Sequence, residues 1–351
     1  MSVLTSHWYN MQNLIYARGV TDLAREMSIY FSIFSKYARI KLFHAKPALF
    51  GSADVINVCN LHCTHCYWWL NRKGGEQDYL SAEQWREIIR RTFKKLKIPV
   101  VTLVDGEPTI RPDIIQVFCE EMPRRVCVVS NGTYPLKRFD NLYFYWISLD
   151  GTQAVHDQIR GEGSYSKTKR NVADYVLGPG RNHKPARTDI WIAMTINSLN
   201  YHTVTDLVEE WYGIVHKIAF QFHTPFVKDD PLWLPFGDKR NRVVDDLVEL
   251  RKRYPKFVVN GERQLSLMRG NWGGTGTTPT QCPSWAILSL DHLGRVKQPC
   301  CIGSSDTERG LKPICERCGL GCYSVLVANG IKGNNVNVDL TSYQRTTSSK
   351  N

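Results

Sequence analysis

Between residue 53 and about residue 255, short apolar runs alternate with helical patterns six times. This alternation limits the fold more than any other property of the chain. A strand, a helix and another strand in succession pair in parallel and build an α/β layer. The candidate strands are 54–58, 100–104, 126–129, 144–149, 190–196 and 217–222. Candidate helices begin at Ser81, Pro112, Lys167, Thr203 and Lys239. Ser81 has Gln84 three residues on, the sequence form of a capping box. Upstream, residues 20–46 read as one or two helices. Leu23, Met27, Tyr30, Phe34 and Tyr37 fall at steps of three or four, with Phe31 beside them. Arg25, Lys36, Arg39, Lys41 and Lys46 surround that stripe, and Lys46-Pro47 ends it. Such a stripe either packs on the β/α layer or lies on a membrane surface with its basic residues toward phosphates. The pattern changes beyond residue 262. Asn271 to Pro279 is a loop, 282–322 is rich in cysteine, and the tail from about 335 is rich in Asn, Thr and Ser. The chain therefore divides into an amphipathic helical segment (1–50), a β/α region (51–260), a cysteine-rich region (261–334) and a flexible tail (335–351).

The loop after the first run carries Cys59, Cys63 and Cys66 in a C-x3-C-x2-C spacing. Three thiolates so placed hold three irons of a [4Fe–4S] cube and leave the fourth without a protein ligand. An open metal position binds a substrate or cofactor, as in an open zinc site. Zinc itself is the alternative occupant, with His62 or His65 as the fourth donor. The next three runs end in Asp105-Gly106-Glu107-Pro108, Ser130-Asn131-Gly132-Thr133 and Ser148-Leu149-Asp150-Gly151. His156-Asp157 and Arg160-Gly161 follow the last of these. Each tetrapeptide alone is an ordinary turn. Together they stand at successive strand ends, where a parallel barrel carries its chemistry.

In these motifs and their order, residues 53–225 resemble the radical S-adenosylmethionine (SAM) superfamily. The resemblance implies a partial (β/α)6 TIM barrel with N-terminal helices. It implies a [4Fe–4S] cluster on Cys59, Cys63 and Cys66 whose open iron chelates the amino and carboxylate groups of SAM. One electron then breaks the sulfonium, and the 5′-deoxyadenosyl radical abstracts hydrogen from a substrate or adds to it. Asp105, Gly106, Glu107 and Pro108 correspond to the GGEP-type motif facing the methionyl amino group, with Asp in place of the first Gly. Ser130, Asn131, Gly132, Ser148 and Asp150 suit the ribose hydroxyls and the carboxylate. Arg160 would pair with the SAM carboxylate through its planar fork, or else form a surface salt bridge. His65 takes the position whose side chain lies near the adenine. Thr195, Asn197, Gln221, His223 and Thr224 would face adenine or substrate, and His223 is either a hydrogen-bonded barrel-top residue or a catalytic acid.

Six further cysteines, Cys282, Cys300, Cys301, Cys315, Cys318 and Cys322, follow the β/α region, with Asp291 and Gly294 in the first gap. This arrangement is similar to the SPASM and twitch extensions of the superfamily, which hold auxiliary clusters. The full SPASM pattern has seven cysteines, so one auxiliary [4Fe–4S] cluster is expected here; spacing does not choose its four ligands among the six, and Cys282, Cys300, Cys318 and Cys322 are taken as candidates. Zinc or structural thiols are the alternative. Cys119 and Cys127, in a helix and a strand, read as buried apolar thiols.

The 11 cysteines are odd in number and mostly clustered, which reads as metal binding in a reducing cytoplasm rather than as a disulfide framework. Residues 1–10 lack the form of a signal peptide, and no stretch reaches the ~18 apolar residues of a membrane span. The net charge of +12 favours an anionic partner: an electron donor such as ferredoxin or flavodoxin, an acidic substrate, or the inner face of an anionic membrane as a peripheral contact. No nucleic-acid reader motif is present in the sequence. Two substrate classes compete. Tyr67, Trp68, Trp69, Phe226, Trp233, Phe236, Trp272 and Trp285 would wall an apolar channel for a lipid. That layout resembles radical SAM enzymes of isoprenoid lipid chemistry, adenosylhopane synthase and archaeal tetraether synthase, which form C–C bonds. SPASM relatives more often crosslink or oxidise peptides, which is the alternative. An Fe–S electron carrier is the non-enzymatic one.

Overall fold

The computed structural model describes residues 20–71, 79–177, 188–275, 278–279, 282–306 and 310–333. The proposed tail and the first 19 residues lie outside these ranges. Six strands follow one another in parallel: β1 (Phe50–Asp54), β2 (Val101–Val104), β3 (Val126–Ser130), β4 (Leu142–Ser148), β5 (Asp189–Ile196) and β6 (Lys217–Phe222). A short hairpin, β7 (Gly274–Thr275) with β8 (Thr278–Pro279), precedes β9 (Ile287–Leu290). β9 returns to pair in parallel with β1, so the curled half-barrel has seven strands in the order β6-β5-β4-β3-β2-β1-β9. The cysteine-rich region thus shares the barrel's sheet.

The first strand lies four residues upstream of the sequence expectation. The apolar residues Val55, Ile56 and Val58 are loop, while Gly51, Ser52 and Ala53 form the strand. Gly51 is needed there because a Cβ would stand 2.7 Å from the Phe93 ring. Ser81 does cap its helix: its Oγ accepts from Gln84 N while Gln84 Oε1 accepts from Ser81 N.

Strand alternation divides the sheet into two faces. Ala53, Val101, Leu103, Val126, Val128, Tyr145, Ile147, Ile190, Ile192, Met194, Ile218 and Phe220 join one apolar core, shared with the helices outside. The opposite positions form the inner face. Near β1 and β2 they are small or polar: Ser52, Asp54 and Thr102. Near β4 and β5 they are aromatic. Phe144 stacks on Trp191 at 4.1 Å between centroids, and Trp146 meets Trp191 edge-on at 5.1 Å. At the C-terminal ends the inner positions are again polar: Ser148, Thr195 and Gln221. Cys119 and Cys127 are buried, as their apolar surroundings implied.

Residues 20–43 form one helix, Val20–Phe43, and its orientation is not that of a stripe packed inward. Glu26, Ile29 and Lys36 are buried, whereas Met27, Phe31, Phe34, Leu42 and Phe43 are exposed, Phe31 by 74 % and Phe34 by 67 %. Lys36 donates to Ala48 O (2.6 Å) and Leu96 O (2.9 Å), and burial lowers its ammonium value to about 8. At the far end Lys41 donates to Gly330 O at 2.7 Å. No helix among the described residues is long and apolar enough to cross a membrane.

Candidate active site

The loop after β1 carries the three cysteines, and neighbouring elements fix it. Thr64 N donates to Ile159 O (2.9 Å), on the helix Gln153–Arg160. Glu107 N donates to Val58 O (2.9 Å), which seats the turn after β2 against the residue before Cys59. Asn131 Nδ2 lies 4.0 Å from Cys59 Sγ and 2.9 Å from Asn60 Oδ1. Arg160 Nη1 lies 3.8 Å from Cys63 Sγ. Burial pushes the thiols up, Cys59 to about 11 and Cys66 to about 12, with Cys63 also raised. They favour the thiolate only beside a cation. No three His, Cys, Asp or Glu side chains among the described residues are gathered closely enough to hold a single metal ion. Three thiols without a fourth protein ligand fit a [4Fe–4S] cluster with one open iron.

The strand-end motifs meet around this loop. Gly106 adopts φ 60°, and a Cβ there would lie 2.4 Å from Val58 O, so only glycine permits the close approach. Glu107 is buried. Its Oε1 accepts from Thr109 N (3.0 Å), and its Oε2 accepts from Asn131 N (2.8 Å). Burial raises its carboxyl value, partly offset by these hydrogen bonds. Pro108 opens the 3-10 turn Pro108–Ile110. Ser130 Oγ accepts from Gly132 N (3.0 Å), and Asn131 Oδ1 accepts from Thr133 N (2.9 Å). Asp150, fully buried, accepts from Thr195 N through Oδ1 (2.9 Å) and from Arg160 Nε through Oδ2 (2.6 Å). Burial opposes its charge, but Arg160 and the histidines outweigh burial and hold it below the usual carboxylate range. Arg160 is therefore not a surface salt bridge, and in this structure both of its contacts are internal.

His65 is buried with Nε2 3.4 Å from Asp150 Oδ2, and its Nδ1 is buried without a hydrogen-bond partner. Burial lowers it to about 4, so it is neutral at pH 7. Thr195 Oγ1 accepts from Gln221 Nε2 at 3.1 Å. Ser148 ends β4 on the inner face. His223 Nε2 lies 2.8 Å from Asp230 Oδ2, a partner that the strand pattern did not reveal. Sequence reasoning also missed Lys297. This buried ammonium stands 2.8 Å from Asp54 Oδ2 and 2.8 Å from Asp105 Oδ2.

A second centre lies in the cysteine-rich region. A small cavity of about 20 Å³ is lined by Cys282, Cys300, Cys315 and Cys318, with Gly273 and Tyr323. Burial pushes Cys315 to about 11 and Cys318 to about 12. Cys322, expected among the ligands, is not on this wall. Its Sγ lies 3.9 Å from Cys301 Sγ. The four lining thiols are the donor type that an auxiliary cluster takes. Several aromatic residues expected to wall a channel are instead buried: Trp272, Trp285 and Phe226 pack with Leu49 and Tyr323 in a separate core under this region.

Residues 54–176, which contain the cysteine loop and four of the strand ends, match the model of the radical SAM superfamily. That stretch of the chain is a radical SAM domain. It is 29% identical over 166 residues to the sporulation killing factor maturation protein SkfB of Bacillus subtilis, covering 45% of this chain and 38% of that protein. It is 28% identical over 166 residues to the Fe-coproporphyrin III synthase of Methanosarcina barkeri, covering 43% and 39%. The matched part thus spans about two fifths of each relative's length. Among solved structures, Streptococcus suis SuiB bound to S-adenosylmethionine aligns over 88% of this chain and 68% of its own, with a TM-score of 0.57 and 14% identity. The structure of anSMEcpe with AdoMet and the Cp18Cys peptide aligns over 81% and 82%, with a TM-score of 0.54 and 14% identity. At that identity the likeness is one of fold alone. The family's cofactors are a [4Fe–4S] cluster and SAM.

Proposed function

We propose that this radical SAM enzyme modifies a C–H or C=C group of an apolar, isoprenoid-type lipid taken from an anionic membrane surface. The observation that carries the reading is the outward stripe of helix Val20–Phe43, in which Met27, Phe31, Phe34 and Leu42 face solvent beside the exposed Arg39 and Lys41. The inner face supports it too. Tyr30 of this helix hydrogen-bonds Tyr143 at the start of β4, and Phe144, Trp146 and Trp191 lie between that end and the polar rim. An alkyl chain would find apolar walls there.

In this reading Cys59, Cys63 and Cys66 hold the SAM cluster, and Cys282, Cys300, Cys315 and Cys318 hold the auxiliary one. The bound cluster supplies the electron that cleaves SAM. The protein's own part is to place the reactants. The turn 105–108 and the Asn131 and Asp150 loops surround the cysteine loop, Arg160 and Asp150 fix its charge, and neutral His65 offers Nδ1 as a free hydrogen-bonding group. A low-potential donor such as ferredoxin or flavodoxin supplies the electron from outside.

A peptide substrate is the second reading, favoured by one observation: the neighbour SuiB has been solved bound to its precursor peptide SuiA. One experiment separates the two. Reconstituted, reduced protein is given SAM, and 5′-deoxyadenosine is measured with and without a lipid extract. Strong stimulation, with an adenosylated or coupled lipid in the mass spectrum, supports the lipid reading. Slow cleavage independent of lipid overturns it in favour of a peptide. Absence of any cleavage overturns the enzyme itself and favours an electron carrier.

A further inference from the structure

Lys297 lies between β9 and Cys300, in the cysteine-rich region, yet its ammonium is inside the barrel. Its Nζ is 2.8 Å from Asp54 Oδ2 at the end of β1 and 2.8 Å from Asp105 Oδ2 at the end of β2. All three side chains are buried, with 3 % of Lys297 and at most 8 % of either carboxylate exposed. Tyr67, the residue after Cys66, donates its hydroxyl to the other oxygen of Asp105. Asp105 itself has φ 60°, a left-handed conformation in which a side chain is strained. A buried ion pair seldom stabilises a fold more than apolar packing would. A strained residue that carries one calls for another explanation.

The contacts supply it. Asp105 opens the turn whose Glu107 N bonds to Val58 O, immediately before Cys59. Tyr67 opens the short helix immediately after Cys66. Asp105 therefore holds both ends of the cysteine loop, one through the backbone and one through Tyr67, and Lys297 holds Asp105. Resting on the radical SAM reading, we propose that Lys297 is a positioning residue that sets the shape of the SAM-cluster loop from the C-terminal region. The cysteine-rich extension would then act on the first cluster through this one ammonium, in addition to holding its own.

Three full-length, reconstituted variants test this: Lys297→Met, Lys297→Arg and the double variant Lys297→Met with Asp105→Gly. The readouts are SAM affinity, the change that SAM causes in the electron paramagnetic resonance signal of the reduced cluster, and iron content. Lys297→Met is expected to weaken SAM binding by roughly 10- to 100-fold, the usual loss for an outer partner of a metal site, with iron content unchanged. Lys297→Arg is expected to restore most of the binding. The double variant should also recover it, because the orphaned carboxylate and the strained φ disappear together. Wild-type SAM affinity in Lys297→Met overturns the proposal, and so does a lowered melting temperature with unchanged affinity, which would mark a structural role alone. Failure of the double variant to recover overturns it as well. If SAM leaves the signal of the wild-type protein unchanged, the radical SAM reading fails instead.

Discussion

Arg160 and Asp150 form a buried ion pair, Nε to Oδ2 at 2.6 Å, and Arg160 turns a second nitrogen to Cys63 Sγ at 3.8 Å. The pair links the end of β4 to the last turn of the next helix and to the middle cysteine of the loop. Both Asp150 oxygens are used, since Oδ1 caps Thr195 N at the end of β5. Breaking such a pair from one side leaves a buried charge without compensation, at a cost of about 3–5 kcal/mol. Asp150→Asn and Arg160→Met are each expected to lower the urea midpoint accordingly and to abolish SAM cleavage. A midpoint within error of wild type for either variant would show that the pair does not bear on the fold.

His156 gives the structure a pH dependence whose sign follows from its surroundings. Its Nδ1 accepts from Asp150 N at 3.2 Å, while its Nε2 is buried without a partner. Burial, and then Arg160, lower its value from 6.5 to about 4. The unfolded chain takes up the proton first, so the folded state bears no penalty above pH 6.5. The penalty grows as pH falls toward 4 and reaches on the order of 3 kcal/mol by linkage. Between pH 7 and pH 5, wild-type protein should lose more stability than His156→Gln. Equal losses would refute the assignment.

The stripe on the N-terminal helix can be tested without disturbing the core. Phe31 and Phe34 are exposed, so replacing both by Ser should leave stability within about 0.5 kcal/mol. Cosedimentation with anionic vesicles should weaken at least tenfold, roughly, since each buried Phe side chain contributes about 1.5–3 kcal/mol on leaving water. Salt should weaken wild-type binding too, by screening Arg39 and Lys41. Undiminished cosedimentation of the double variant would remove the helix from membrane binding.

The strands that obey local rules were readable from the sequence. Lys217–Phe222 alternates strictly and matches its expected bounds, and Ser81 with Gln84 caps as its spacing required. The failures have physical causes. Gly51 and Ser52 are poor strand formers, held in β1 by partners on both sides, whereas apolar Val55 and Ile56 looked like a strand. On the first helix the large aromatics outweighed the single Ile29, and a buried Lys36 capped by two carbonyls has no sequence signature. The motif residues at strand ends were legible because each follows its own strand. Lys297 was not, because its partners lie 243 and 192 residues away in the chain.

In the C-terminal region Cys282, Cys300, Cys315 and Cys318 line one cavity, and Cys300 also hydrogen-bonds Cys301, which in turn faces Cys322. Spacing does not choose four ligands among the six; in the structure Cys315 lines the cavity with Cys282, Cys300 and Cys318, while Cys322 faces Cys301. A [4Fe–4S] cluster normally requires four thiolates, so the proposed assignment makes the four lining cysteines its ligands and leaves Cys301 and Cys322 outside the set. In reconstituted protein, Cys315→Ser should lose about four irons per chain and the visible absorption of one cluster. Cys322→Ser should keep both. Cys59, Cys63 and Cys66 lie outside this cavity, so Cys315→Ser should retain the iron of the SAM cluster. Iron loss in Cys322→Ser with full retention in Cys315→Ser would reverse the assignment and return Cys322 to the ligand set.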